Sequence, residues 1–310
     1  MSEPSPYAAV IAGVPVREDE VALRGGRTRL WIYGADDAGH QIVFLHGLRG
    51  DHHGLEPIVA HLPGARVVVP DLPGFGQSPP LPDDAHDVGG YAAWARDLLT
   101  AVAPAGDAVL AGHSFGSIVA TAALARHEPP ASEGAEPVPP VRGLVLVNPI
   151  AASALAGPRV VVTRLTVLYH HLAAVLPERA GTALLRNPVM TRVASLAMAT
   201  TGDRGLRRWI HAEHDRYFST FADRRTLLEA FHASVGHPVG EFAGEVTAPT
   251  LLVAAERDDI APPAAQRSLV GRFPDARLAM VPGTGHLAHY EAPDAVAAAM
   301  SAFLTALPVS

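Results

Sequence analysis

The most informative part of this sequence reads Val109-Leu110-Ala111-Gly112-His113-Ser114-Phe115-Gly116-Ser117-Ile118-Val119-Ala120. It begins as a short apolar run, turns at two glycines around one serine, and continues as an alanine-rich helical pattern. This order predicts a strand, a sharp turn and a helix, with Ser114 in a strained backbone conformation above the end of the strand. Gly112 and Gly116 fit such a turn because a side chain there would collide with neighbouring backbone. Since the free N–H groups of the helix face the hydroxyl, the turn suits a nucleophile and an oxyanion.

The Gly-x-Ser-x-Gly motif is weak evidence by itself, because a chain with 28 glycines among 310 residues contains it by chance fairly often. The preceding strand and the following helix strengthen it. A serine nucleophile also needs a base that takes its proton and a carboxylate that orients the base. The catalytic interpretation of Ser114 therefore depends on finding both partners elsewhere in the chain.

Composition restricts the class of protein. Hydrophobic residues make up 48% and charged residues 18% of the 310 residues, which fits one large α/β domain or a core domain with an insertion. A net charge of −7 argues against a nucleic-acid partner. The chain has no cysteine and no signal-peptide pattern at its start, so a cytoplasmic location is expected. A transmembrane span is not expected, because the apolar run 160–176 is interrupted by Arg164, His170 and His171.

Short apolar runs alternate with helical patterns along most of the chain. A hairpin is predicted for Val21–Leu23 and Thr28–Tyr33, which flank Arg24-Gly25-Gly26-Arg27. The apolar runs that follow are Ile42–Leu45, Val67–Val69, the run before Ser114, Leu144–Val147, Thr250–Ala254 and Arg277–Val281. Apolar strands that alternate with helices predict an α/β fold, with a mostly parallel sheet and helices on both of its faces.

The alternation stops between residues 150 and 241, where the pattern is only helical. Leu165, Leu168, Leu172 and Val175 form one apolar stripe in this region. We therefore expect a core domain made of residues 1–149 and 242–310, and an inserted helical cap of residues 150–241 over the carboxyl edge of the sheet. The segment His127–Pro140, rich in proline, alanine and glutamate, is predicted to be an exposed loop.

The best candidate for the base is His286, at the end of Pro282-Gly283-Thr284-Gly285-His286, directly after the last predicted strand. Catalytic groups of a parallel sheet lie just beyond the carboxyl ends of its strands. His289 is the nearest competitor, but the helix expected over Leu287–Glu291 carries it away from this edge.

The orienting carboxylate should follow a strand as well. The strand that ends at Val147 is followed by Asn148, which cannot supply a full charge and is set aside. The strand that ends at Ala254 is followed by three acids. Of these we choose Asp258, while Asp259 and Glu256 remain open alternatives.

Several separated motifs resemble those of the α/β-hydrolase family, and the resemblance covers nearly the whole chain. The matching segments are Gly112-His113-Ser114-Phe115-Gly116 for the nucleophile turn, Phe44-Leu45-His46-Gly47 for the oxyanion strand and loop, Asp71-Leu72-Pro73-Gly74-Phe75-Gly76-Gln77-Ser78 for the loop after the next strand, and Gly285-His286 for the histidine loop. Ala255-Glu256-Arg257-Asp258 resembles the family's Gly-x-x-Asp acid turn, with alanine in place of glycine.

The resemblance implies that Ser114 is the nucleophile, His286 the base and Asp258 the orienting acid. The backbone N–H groups of Phe115 and Leu48 would then stabilise the oxyanion. A serine nucleophile speaks against the dehalogenase and epoxide-hydrolase branches, which use a carboxylate. Carbon–carbon bond hydrolases usually carry a tryptophan after the histidine, where this chain has Leu287.

The resemblance therefore favours a serine hydrolase of the esterase or lipase kind, and it implies no cofactor and no metal. A carbon–carbon bond hydrolase, lactonase, thioesterase, acyltransferase or cofactor-free haloperoxidase stays open. So does a protein of another class, a low-turnover ligand-binding or receptor protein that has kept the pocket. The sequence does not predict an oligomeric state.

The expected partner is a small molecule, an ester with an apolar acyl or alcohol part, because the cap is rich in alanine, leucine and valine. Candidate substrate-binding residues are His46, Trp209, Tyr217 and Phe218. Asp51, His52 and His53 are not expected to bind a metal, since adjacent side chains in a loop rarely converge. The charged residues of the cap are interpreted as a solvated, salt-bridged face.

Overall fold

An eight-stranded sheet forms the centre of the computed structural model, which describes residues 4–125, 139–152 and 160–308. Its strands are β1 (Val16–Leu23), β2 (Gly26–Tyr33), β3 (His40–Leu45), β4 (Ala65–Pro70), β5 (Ala108–His113), β6 (Gly143–Val147), β7 (Thr250–Ala255) and β8 (Ala276–Val281). In space they follow the order β1-β2-β4-β3-β5-β6-β7-β8. β2 is antiparallel to both β1 and β4, and from β4 onward the strands are parallel. The predicted mostly parallel α/β sheet is confirmed.

Helices cover both faces of this sheet. They are α1 (Ala8–Ile11), α2 (Glu56–Val59), α3 (Val88–Val102), α4 (Phe115–Leu124), α5 (Val160–Val175), α6 (Glu178–Leu185), α7 (Pro188–Met198), α8 (Arg204–Tyr217), α9 (Arg224–Gly236), α10 (Pro263–Val270), α11 (Ala288–Glu291) and α12 (Pro293–Ala306). Short 3-10 turns lie at His52–Gly54, Val239–Glu241 and Ala243–Glu245. Successive residues of β3 point to opposite faces, so that Val43 belongs to the same buried cluster as Trp94 of α3, while Ile42 belongs to the same buried cluster as Ile58 of α2. All four are fully buried, as the continuous apolar runs predict.

The predicted hairpin is present, and its first strand is longer than the sequence indicated. Arg24 and Gly25 form the turn with φ angles of 48° and 72°, the left-handed pair that a two-residue hairpin turn needs. β1 begins at Val16, five positions before the predicted start. The extra residues carry exposed, mostly charged side chains on an edge strand, so no apolar run reveals them.

The carboxyl ends of five neighbouring parallel strands, β3, β5, β6, β7 and β8, meet at one edge of the sheet. The register pairs that bring them together are Leu45–Gly112, His113–Val147, Val147–Val253 and Ala255–Val281. Loops that follow these strands are therefore neighbours in space, although they lie far apart in the sequence. This edge holds the residues from which the sequence predicts the chemistry.

Helices α5 to α9 follow β6 and precede β7, and we call them the helical insertion. Within it α5 packs on α6, α7 packs on α8, and α9 contacts both α5 and α6. The insertion is tied to the loop after β4 by an isolated antiparallel bridge between Phe75 and Phe221. Beside that bridge, the N–H of Ala222 donates to the carbonyl oxygen of Gly74 at 2.9 Å.

The apolar stripe of α5 faces outward rather than into the protein. The side chains of Leu165, Leu168 and Val175 are 61%, 59% and 65% exposed, whereas His170 and Ala173 are buried. Apolar spacing therefore predicted the helix but not the side on which it packs. The predicted loop His127–Pro140 lies outside the described residues except for its last two positions. Within the described ranges, every helix is too short or too polar to cross a bilayer.

Candidate active site

The turn at Ser114 places a hydroxyl above the end of β5. Ser114 has a φ of 52° and a ψ of −116°, a conformation that a residue with a side chain rarely adopts. A Cβ atom at Gly112 would collide with the carbonyl of Gly116, and one at Gly116 would collide with the carbonyl of Leu45. The N–H of Ser114 donates to the carbonyl oxygen of Val147 at 3.0 Å. Both glycines are therefore needed for the close approach of β3, β5 and α4 that fixes the serine.

His286 lies beside this serine, in the loop after β8. Its Nε2 is 2.9 Å from the Oγ of Ser114. The loop is held to the loop after β7 by a hydrogen bond from the N–H of Arg257 to the carbonyl oxygen of Thr284, at 2.8 Å. This geometry allows the imidazole to accept the serine proton.

Asp258 contacts the second ring nitrogen of His286. Its Oδ2 is 2.7 Å from Nδ1 of His286, and its Oδ1 accepts the N–H groups of Ile260 and Ala261 at 2.8 and 2.9 Å. Burial disfavours the charged carboxyl, but the charge and hydrogen bond of His286 and the donors around it hold the pKa of Asp258 below its usual value. Asp258 therefore stays ionised and can stabilise a protonated His286.

The other acids considered from the sequence have different positions. The carboxylate of Glu256 accepts the N–H of Gly283 at 2.9 Å in an exposed loop. Asp259 lines the cavity described below. Asp258 is the acid whose carboxylate lies against Nδ1 of His286.

Asn148 belongs to the site in a way that the sequence interpretation missed. Its Nδ2 donates to Oδ2 of Asp258 at 2.9 Å, and its own φ is 45°. The position after β6 was set aside because an amide carries no charge, yet a donor is what a buried carboxylate needs there. Its place at a strand end was the signal that could have identified it.

The backbone N–H groups of Leu48 and Phe115 lie in the two segments that border Ser114. Phe115 is the first residue of α4, and Leu48 follows Gly47, where a Cβ atom would lie 3.3 Å from Cβ of Ser114. Among the backbone hydrogen bonds of the described residues, none uses either N–H group. Both groups are therefore available to an oxygen atom bound beside the serine.

A cavity of about 370 Å³ opens onto Ser114 and His286. The core contributes the loop after β3, His113 and the residues that follow His286. The insertion contributes Ala194, Met198, Phe231 and parts of α8. Of the predicted substrate-binding residues, His46, Tyr217 and Phe218 line this cavity.

Trp209 is not among the lining residues, which corrects the sequence prediction. It is buried two helical turns before Tyr217, where its ring makes edge contacts with Tyr7 and Tyr290 at 5.4 and 5.1 Å. It therefore fixes α8 to the core instead of facing the cavity.

His46 is held as a neutral ring by its own loop. Its Nδ1 lies 2.8 Å from the carbonyl oxygen of Gly47, and its Nε2 accepts the N–H of Leu72 at 2.9 Å. Complete burial lowers the pKa of His46. Since both ring nitrogens are engaged, His46 shapes the loop that carries Leu48.

Asp51, His52 and His53 converge more closely than the sequence interpretation expected, with one donor atom of each within 4.8 Å of the others. These atoms already have partners in the protein. Nδ1 of His53 lies 3.1 Å from Oδ1 of Asp51, and Nδ1 of His52 lies 3.0 Å from Oδ1 of Asp71. The cluster is therefore explained as two imidazole–carboxylate pairs that order the segment after the β3 loop.

Two further imidazoles lie below the serine. His113 and His289 have ring centroids 4.1 Å apart, and His113 is 5.8 Å from the ring of His286. Burial lowers the pKa of His113 to about 3 and that of His289 well below its usual value. Both rings are therefore neutral at physiological pH. His289 packs on His113, whereas His286 contacts Ser114.

The family model described as "Alpha/beta hydrolase family" matches residues 42–299. The chain belongs to the α/β-hydrolase family. The segment that matches contains every strand end that borders the site. The sequence-based identification of the family is thus confirmed, and the protein is a hydrolase.

Several solved structures share the fold of this chain at low sequence identity. An enol-lactonase from Burkholderia xenovorans is 22% identical with a TM-score of 0.70, and the match covers 93% of this chain and 100% of that one. An esterase from Thermogutta terrifontis is 20% identical with a TM-score of 0.67, covering 93% and 98%. A haloalkane dehalogenase from Bradyrhizobium elkani is 18% identical with a TM-score of 0.69, covering 94% and 98%. Because these three enzymes differ in activity, the bond that this hydrolase cleaves has to be argued from its site.

Proposed function

We propose that this α/β-hydrolase is a serine esterase that cleaves carboxylic esters through an acyl-enzyme. The observation that carries the proposal is the chain of hydrogen bonds from Ser114 Oγ to His286 Nε2 at 2.9 Å and from His286 Nδ1 to Asp258 Oδ2 at 2.7 Å. A nucleophile, a base and an orienting carboxylate in this order are the arrangement that acyl transfer requires.

In the first half of the reaction, Ser114 Oγ attacks the ester carbonyl carbon while His286 takes the hydroxyl proton. The tetrahedral intermediate carries its negative charge on the former carbonyl oxygen, which the N–H groups of Leu48 and Phe115 stabilise. Each such donor contributes about 3 kcal/mol in the transition state. His286 then protonates the leaving alcohol, and the acyl group stays on Ser114.

In the second half, His286 takes a proton from water, which attacks the acyl-enzyme. The second intermediate collapses to the free carboxylic acid, and the proton returns to Ser114 Oγ. Asp258 keeps its negative charge throughout and stabilises the imidazolium that forms twice in each cycle. Asn148 and the N–H groups of Ile260 and Ala261 keep this carboxylate in place.

The helical insertion fits the role of a cap. This cap would consist of residues 150–241 and cover a core domain of residues 1–149 and 242–310. Its contribution to the cavity wall is largely apolar, through residues such as Ala194, Met198 and Phe231. An apolar acyl or alcohol part of the ester is therefore the substrate feature that we propose. Apolar burial of this kind favours longer chains by about 0.8 kcal/mol for each CH₂ group that the cavity accommodates.

The experiment that tests the proposal is hydrolysis of p-nitrophenyl esters with acyl chains of increasing length by the wild type and by Ser114→Ala. We expect turnover by the wild type, loss of turnover in the variant, and an optimum at intermediate chain length. Binding of an ester without turnover would instead favour a ligand-binding protein. Turnover that persists in Ser114→Ala would contradict the assignment of the nucleophile.

A further inference from the structure

Arg49 is a buried charge next to Leu48, and its side chain crosses from the core to the helical insertion. Its Nε donates to the carbonyl oxygen of Phe218 at 3.0 Å, and its Nη2 donates to the carbonyl oxygen of Leu185 at 2.8 Å. The residue is 9% exposed. The hydroxyl of Tyr169 on α5 is a further partner of the guanidinium, and no carboxylate of the described residues is among the groups that act on its charge.

The two acceptors are suited to a guanidinium group. Leu185 is the last residue of α6, and Phe218 directly follows α8. The carbonyl groups at the end of a helix have no partner within it and carry the negative end of the helix dipole. The guanidinium carbon also lies 4.6 Å from the ring centroid of Phe218, a cation–π contact. Burial lowers the pKa of Arg49 to about 10, so the group remains charged at neutral pH.

The backbone of Arg49 is shaped for this contact. Its φ is 62°, in the left-handed region that a residue with a side chain adopts only with backbone strain. The N–H of Gly50 donates to the carbonyl oxygen of Gly47 at 3.1 Å, which closes a turn around Leu48 and Arg49. The strained residue, the turn and the N–H of Leu48 thus belong to one short loop, and the side chain of Arg49 joins this loop to the insertion.

We propose that Arg49 is a positioning residue that couples the placement of the helical insertion to the oxyanion donor at Leu48. The coupling rests on the proposed function, because Leu48 matters to turnover only when an oxyanion forms. When α6 and α8 are in place, their terminal carbonyls hold the guanidinium and the loop is fixed. A donor displaced by about 1 Å loses much of its effect in the transition state, so turnover depends on the contact.

Arg186 provides a matched control. Its Nη2 donates to the carbonyl oxygen of Phe221 at 2.8 Å, and its guanidinium carbon lies 4.9 Å from the ring centroid of Phe221. Arg186 resembles Arg49 in chemistry, but it and its acceptors belong to the insertion, and it does not line the cavity. Its loss removes a contact within the insertion but leaves the hydrogen bonds from Arg49 to the carbonyl oxygens of Phe218 and Leu185 in place, so Leu48 should keep its position.

The test compares Arg49→Met, Arg49→Lys and Arg186→Met with the wild type in kcat, KM and thermal midpoint on one p-nitrophenyl ester. We expect kcat to fall roughly 10- to 100-fold in Arg49→Met, with KM changed by no more than about threefold. Arg49→Lys should recover only part of the loss, because one ammonium group cannot reach two carbonyl groups in a fixed fork. In Arg186→Met, kcat should stay within about twofold of the wild type, while the thermal midpoint falls.

Guanidinium rescue keeps the inference testable if Arg49→Met is unstable. Added methylguanidinium should raise kcat of Arg49→Ala several-fold and leave Arg186→Ala unchanged, which a merely structural role would not produce. Wild-type kcat in a folded Arg49→Met, or equal losses in the Arg49 and Arg186 variants, would overturn the inference while the esterase stands. Failure of the wild type to turn over any ester would instead overturn the proposed function.

Discussion

On the core side of the cavity, Ser114, His286 and Asp258 are joined by hydrogen bonds of 2.9 and 2.7 Å, and each follows the end of a strand. On the insertion side, the wall consists of side chains from helices whose outer surfaces are partly apolar and exposed. The core side holds its three functional groups at hydrogen-bonding distances, and the insertion side encloses the space beside them. We therefore expect substitutions of the hydrogen-bonded core residues to lower the rate on every ester, and substitutions of the apolar wall to change the preference among esters.

The largest effect is expected from His286→Gln, on the core side. Without the imidazole, Ser114 keeps its proton, and we expect kcat to fall by about 10⁵- to 10⁶-fold. Ester hydrolysis at pH 8 measures it. His289→Gln is the matched control, since His289 is an equally buried imidazole that packs on His113, and we expect it to lose less than about tenfold. Similar losses of kcat in both variants would contradict the assignment of His286, and not His289, as the base.

The next comparison is between two adjacent acids. Asp258→Asn removes the charge that stabilises the imidazolium, and an Asn amide also competes with the donor of Asn148, so we expect kcat to fall roughly 10⁴-fold. Asp259→Asn should stay within about fivefold of the wild type. Steady-state kinetics on the same ester measures kcat for both variants. A larger loss in Asp259→Asn would move the orienting role to Asp259.

Each region contains a buried histidine that should make the free energy of unfolding depend on pH. Burial lowers the pKa of His113 in the core and of His214 in the insertion to about 3, whereas an unfolded histidine titrates near 6.5. Between these values the unfolded chain binds a proton that the folded chain excludes, so stability falls as the pH drops below 6.5. Each group should cost roughly 2 kcal/mol at pH 5 relative to pH 8.

Urea denaturation at pH 8 and pH 5 measures this loss in the wild type and in His214→Gln. The variant lacks one of the titrating groups, so its free energy of unfolding should fall by roughly 2 kcal/mol less than that of the wild type between pH 8 and pH 5. An unchanged pH dependence would show that His214 is not kept neutral by folding.

The smallest effect is expected on the insertion side. Ala194 lines the cavity, whereas its neighbour Val193 is 53% exposed and does not. Ala194→Phe should shorten the preferred acyl chain and lower kcat/KM for long esters roughly tenfold, with little change for acetate. Val193→Phe is the control and should leave the chain-length profile unchanged. Loss of activity on all esters in Ala194→Phe would mean that the insertion contributes more than shape.

The two regions also differed in how far the sequence predicted them. The turn at Ser114 is local, because two glycines and a serine determine its backbone, and the strands around it are marked by continuous apolar runs. His286 and Asp258 follow from the rule that functional groups lie after strand ends, and the structure places both beside Ser114. Asn148 was not predicted, because an amide carries no charge, and only the fold shows that its Nδ2 donates to the carboxylate of Asp258.

Less of the insertion could be predicted, because the contacts there join distant segments. The stripe of α5 has helical spacing but faces outward, and Trp209 packs on Tyr7 and Tyr290 rather than on the cavity. Arg49 has an inconspicuous position in the sequence, since its acceptors are backbone carbonyls more than 130 residues away. Residue type does not encode such acceptors, so only the folded chain shows them.

The most direct test of the central claim is covalent labelling with a fluorophosphonate, followed by intact mass measurement and peptide mapping. The account predicts one adduct per chain on Ser114 in the wild type, and labelling slowed by several orders of magnitude in His286→Gln. Ser117→Ala, three residues along α4, should still be labelled. A wild type that stays unmodified, an adduct on another residue, or equal labelling rates with and without His286 would contradict the assignment of Ser114 as an activated nucleophile.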